Sequence, residues 1–142
     1  MYELFEHTAD LGLRIEAATL DELLIEAARG LLAMHVANPV AVRAVQSRKI
    51  SLVASRPSYL LFDWLSELLF IFESEKLLVH KFDLQCNRSA NGSEWQLTAI
   101  CQGEPMDESR HEMDHEVKAI TYHGLEVEQT PMGWRAEVIV DI

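Results

Sequence analysis

Between residues 57 and 72 the sequence is apolar around most of a helix. Leu61, Trp64, Leu65, Leu68 and Phe72 recur as one broad stripe with Asp63 and Glu67 outside it, yet Leu60, Phe62, Leu69, Phe70 and Ile71 carry the apolar surface onto other sides. Such a helix is buried between layers or covered by a partner. Leu11, Leu13, Ile15 and Ala17 alternate with Gly12, Arg14 and Glu16, the period of a strand with one buried face. Thr19 followed by Glu22 is a capping box, and Leu20, Leu23, Leu24, Ala27, Ala28, Leu31 and Leu32 then predict an earlier helix that ends before Asn38-Pro39. Residues 42–54 pattern loosely as a strand around Ile50 and Leu52. The remainder reads as strands over 77–87, 95–103, 117–122, 125–128 and 134–141, the last two joined by a turn at Pro131-Met132-Gly133. The order strand, helix, strand, helix, then several strands predicts an α+β sandwich, with two helices packed on antiparallel or mixed β-sheet in a single domain over residues 1–142.

Charge narrows the function. The 142 residues include 23 acidic and 12 basic side chains, a formal charge of −11. Phosphate neutralisation needs clustered Lys and Arg, so strong direct nucleic-acid binding is not expected, and a basic protein partner or a bound cation fits better. The first residues lack the basic flank and apolar run of a signal peptide, and the clean apolar run at 68–72 is far shorter than the roughly 18 residues of a bilayer span. A soluble, cytoplasmic protein with no membrane association is the expectation. A hairpin centred on Asn91-Gly92 sets Cys86 opposite Leu97 and Cys101 opposite Phe82, four positions out of register, so the two thiols are expected to stay reduced.

Four segments carry possible chemistry. His111-Glu112-Met113-Asp114-His115 matches the HExxH pattern of zinc hydrolases, but its surroundings are too charged for a packed helix, and the plain reading is a connecting loop with solvated histidines. His7-Thr8-Ala9-Asp10 groups an imidazole, a hydroxyl and a carboxylate, which suits either a cation or simple turn-capping. At Val140-Asp141-Ile142 a side-chain carboxylate and a terminal carboxylate are adjacent, hard oxygen ligands that favour calcium or magnesium over zinc unless the segment is a frayed acidic tail. Lys118 lies within Val117-Lys118-Ala119-Ile120-Thr121-Tyr122-His123, where an ordinary solvent-facing lysine is the plain reading. There is no Gly-rich phosphate loop, CxxC pair, G-x-S-x-G elbow or EF-hand loop.

Taken together, residues 2–12 with His7-Thr8-Ala9-Asp10, the helix over 19–32, the Asp63-Trp64-Leu65 helix, Gly103-Glu104, the run over 116–123 and the final Val138-Ile139-Val140-Asp141-Ile142 resemble the archease family over nearly the whole chain. The resemblance implies a non-enzymatic accessory protein of the RtcB-type RNA ligase, which seals tRNA exon halves and broken RNAs with GTP and manganese. Such a protein promotes guanylylation and multiple turnover of that ligase. It also implies a calcium site at Asp10, Asp141 and Ile142, an activity-linked residue at Lys118, and, for some members, a tRNA cytosine methyltransferase as client. A metal-dependent hydrolase using His7 and Asp10 or the HExxH stretch, and a general chaperone, are the rival readings.

Overall fold

The computed structural model describes residues 1–7 and 10–142. Its elements are β1 (Tyr2–His7), β2 (Asp10–Ala17), α1 (Leu20–His35), a 3-10 turn (Pro39–Ala41), β3 (Gln46–Ala54), α2 (Pro57–Glu75), β4 (Leu77–Arg88), β5 (Trp95–Pro105), β6 (Ala119–Ile120), β7 (Glu126–Thr130) and β8 (Gly133–Asp141). This is the expected α+β architecture. The strands divide between two sheets: β1-β2-β8-β6, with β7 also paired to β8, and β3-β5-β4. Every pairing among the described strands is antiparallel.

The alternation read from sequence decides what each sheet turns inward. Leu11, Leu13 and Ile15 on β2 oppose Val140, Val138 and Ala136 on β8 across the inner face of the larger sheet. Ile50, Leu97, Ala99, Cys101 and Leu84 line the inner face of the smaller one. Both helices lie between these faces, α1 touching β2 and β8 on one side and β4 on the other, α2 touching β3, β4 and β5 as well as β6 and β7. Trp64, fully buried, ties the helices together by donating its indole N–H to the Leu24 carbonyl at 2.8 Å. The nearly all-round apolar character of α2 thus follows from its place between layers.

Thr19 caps α1 as its sequence predicts, its hydroxyl accepting from the Glu22 N–H at 3.1 Å. Thr19→Ala is expected to cost about 1 kcal/mol and to lower the melting temperature by roughly 3 °C in differential scanning calorimetry; an unchanged transition would show that the cap contributes nothing.

Three local readings need correction. β1 was not anticipated, because Phe5 interrupts the alternation by turning to the outer face; there its ring covers Gly12, where a Cβ would lie 2.0 Å from the ring, and takes the Arg14 guanidinium over it at 4.1 Å. The strand expected over 117–122 shrinks to Ala119–Ile120, because β7 already occupies the same side of β8 from Gly133 to Glu137. At Asn91-Gly92 the register is the expected one, Cys86 opposite Leu97 and Phe82 opposite Cys101, and both cysteines are free. The loop is wider than two residues: Ser89 and Glu94 close it, and the Asn91 carboxamide oxygen accepts from Ser89, Ser93 Oγ and the Ser93 N–H.

Candidate functional site

The β2–β8 register sets Asp10 directly opposite Asp141. Directly opposed residues in an antiparallel pair have Cβ atoms about 4.5–5.5 Å apart on the same face, and like charges so placed repel. This face is the outer one, since Leu11 and Val140, the next pair, turn inward. Both aspartates are half-buried. The other side of Asp141 is held by β6: Ala119 is its partner in register, and the Lys118 N–H donates to the Asp141 carbonyl at 2.8 Å. Thr121 continues the tie, its N–H and hydroxyl both donating to the Ile139 carbonyl, at 3.1 and 2.8 Å. Lys118 itself is exposed. Ile142 is half-buried against the main core, which anchors the backbone just beyond Asp141.

Four residues drawn from both ends of the chain and from 118 therefore meet at one edge of the larger sheet. His7 also pairs with Asp10 through the β1–β2 register, while Thr8, Ala9 and the side chain of His7 lie outside the described residues. Two opposed carboxylates are a hard-oxygen donor set, suited in kind to calcium or magnesium. They are not a complete one: among the described residues no three His, Cys, Asp or Glu side chains are grouped to hold a metal ion.

The HExxH stretch lies elsewhere and forms a loop. The expectation of solvated histidines is corrected at His111, which is 3% exposed. Its Nδ1 accepts from the Asp107 N–H at 2.9 Å, leaving Nε2 to donate to Glu104 Oε2 at 3.2 Å. Glu104, buried as well, also accepts from the Arg43 N–H and from both Nη atoms of Arg110, and the Arg110 guanidinium beside it holds its carboxyl down to about 2. Asn38 clasps the loop, donating to the Arg110 carbonyl and accepting from the Glu112 N–H, while Asp114 and His115 N–H groups donate to the His35 and Met34 carbonyls at the end of α1. Both ring nitrogens of His111 are engaged, so the stretch is a structural clamp and not a zinc-binding helix.

His35 was not singled out in the sequence. It is 4% exposed, its ring centroid 4.2 Å from that of Phe72, and its Nε2 is a buried atom without a hydrogen-bond partner among the described residues. Burial, with Lys76 adding to it, lowers its pKa to about 4.

Fold and edge together define a small α+β protein whose distinguishing feature is a pair of aspartates opposed across its central strands. The archease protein family matches residues 2–142. Relatives include protein archease of Methanosarcina mazei, 36% identical over 99% of this chain and 95% of its own, and that of Methanopyrus kandleri, 36% identical over 99% of each. Protein 1598 of Methanobacterium thermoautotrophicum, whose structure was determined in solution, superimposes with a TM-score of 0.86 at 32% identity over 99% of this chain and 98% of that one. The chain belongs to the archease family. Among the described residues no helix is long and apolar enough to cross a membrane.

Proposed function

We propose that this protein is a non-enzymatic accessory factor that activates an RtcB-type RNA ligase in tRNA splicing and RNA repair, promoting guanylylation and multiple turnover. In this reading the acidic edge at Asp10, Asp141 and the carboxylate of Ile142 works with a divalent cation, calcium or another, beside the ligase. The observation that carries it is the opposition of Asp10 and Asp141 in the β2–β8 register, with Lys118 donating its N–H to the Asp141 carbonyl. Like charges opposed on adjacent strands carry a cost in stability. A cation offsets that cost. Asp10, Asp141 and the Ile142 carboxylate would hold such an ion through hard oxygen ligands of the kind calcium prefers. When bound there, the ion supplies positive charge to anionic oxygens; the two strands fix the carboxylates, and the exposed ammonium of Lys118 contacts a nucleotide phosphate or an acidic group of the ligase. The charge of −11 favours fast encounter with a basic ligase surface and weakening with salt. A tRNA cytosine methyltransferase is a second client of the same kind, and the cytoplasm is the compartment this reading implies.

The test is RNA ligation by an RtcB-type ligase at substrate excess, with and without this protein. The expected result is a single turnover by ligase alone and many turnovers with the protein present. Equal product in both, with a cognate ligase, would leave family membership intact and overturn the activating role.

A further inference from the structure

The face of α2 turned away from the core is aromatic. Tyr59, Ser66 and Phe70 recur at helical spacing along its outward line, with Phe62 beside them. Tyr59 is 43% exposed and Phe70 59%. Tyr122, 60% exposed, extends this surface off the helix: its ring lies flat on Phe62, centroids 3.9 Å apart and planes 10° apart. Asp63, Glu67 and Glu73 flank the line on the same helix, and among the described residues none of the three makes an ion pair, while at its N-terminal end the Arg56 guanidinium lies over the Tyr59 ring, 5.8 Å from the centroid. Burial between two sheets accounts for the rest of the apolar helix but not for this stripe. Exposed aromatic side chains along one helix line, with carboxylates beside them, mark an interaction surface.

We infer that Tyr59, Phe62, Phe70 and Tyr122 form the docking surface for a partner protein that is apolar where it meets the rings and basic around them. The charge pattern selects this occupant. A second copy of the chain would set three carboxylates against a single Arg56 and add one charge of −11 to another, whereas a basic rim pairs with all three. Tyr122 lies two residues beyond β6, whose backbone holds Asp141, so one short segment links the aromatic surface to the aspartate pair. One partner can therefore cover both at once: the rings supply affinity and the carboxylates supply the chemistry. The inference rests on the activating role proposed above, and it identifies the part of this protein that binds the ligase.

Calorimetric titration of the ligase with wild-type protein, Phe70→Ser, Tyr122→Ala, Glu67→Lys and Asp141→Asn separates the two ideas. Each aromatic variant is expected to weaken binding roughly tenfold or more. Glu67→Lys is expected to weaken binding and flatten its salt dependence, while Asp141→Asn binds with less than a threefold loss yet does not activate. Melting temperatures report folding; Phe70 and Tyr122 are exposed and Glu67 is half-buried, and a misfolded variant at one leaves the other two to decide. Wild-type affinity in the stripe variants would overturn the inference and leave the activating role standing. No binding by the wild type would overturn both. Self-association in sedimentation velocity that Phe70→Ser abolishes would make a second copy the occupant, and would overturn the inference as well.

Discussion

Asp141→Asn is expected to abolish activation of the ligase while leaving the fold as stable as before, or more stable. Asp10 and Asp141 face each other across β2 and β8, so neutralising one removes a repulsion of up to about 1 kcal/mol in metal-free solution. The wild-type protein should gain from calcium what the variant cannot. A ligand at a hundred times its dissociation constant stabilises by about 2.7 kcal/mol, which for a chain of this size raises the melting temperature by roughly 6–10 °C. Thermal melts in calcium and in chelator, run beside the ligation assay, make the comparison. A calcium response of equal size in wild type and variant would remove Asp141 from the site. A variant that loses activation and melting temperature together would make Asp141 a structural residue. The carboxylate of Ile142 is tested in the same melts by amidation, which should reduce the calcium response without touching the core.

The second large effect is on pH. His35 is neutral in the folded protein down to about pH 4, whereas in the unfolded chain it takes up its proton near 6.5. Between these values the unfolded state binds the extra proton, so stability falls as pH falls, at on the order of 1.4 kcal/mol per pH unit where the slope is steepest. Below that window Glu104 acts in the same direction. Its carboxylate contributes stability that is fully present above 4.5 and is lost as pH drops toward about 2, because Arg110, the Arg43 N–H and His111 all bind the charged form. His35→Leu removes the proton uptake and the unpartnered Nε2 together. Urea unfolding at pH 7.0, 5.5 and 4.5 should show the variant losing about 2 kcal/mol less than wild type across that range. Parallel losses in the two proteins would mean that the acid sensitivity resides elsewhere.

Periodicity carried the two helices, β2, β8 and the β4–β5 register, because each is written in the spacing of its own residues. It did not carry β1, where Phe5 serves the outer face and fills the space that Gly12 leaves open. Nor did it separate the two sheets, since alternation says which side chains are buried but not which strand lies alongside. The site divides in the same way. Asp10, Lys118, Asp141 and Ile142 are each visible as residues of the right chemistry, but their meeting depends on pairings between distant parts of the chain that no local pattern encodes. The Glu104–Arg110–His111 clamp was misread for a related reason: a loop rich in charge looks solvated until its partners Arg43, Asn38 and the end of α1 are known. A signal was present in β5, where Gly103 and Glu104 interrupt the alternation and both are buried.

β8 is the hub of the larger sheet, flanked by β2 on one side and by both β7 and β6 on the other. Its pairing with β2 joins the beginning of the chain to residues 133–141, a contact of very high order that a growing or refolding chain makes late. The β4–β5 hairpin and the helices can form from near neighbours, but the acidic edge has no existence until that last strand inserts between its partners. Among the described strands β6 pairs only with β8, so a chain caught before this step lacks the pairing that leads into Tyr122 as well as the aspartate pair. Completion of the sheet is thus the event that brings the aspartate pair and the segment before Tyr122 into place together.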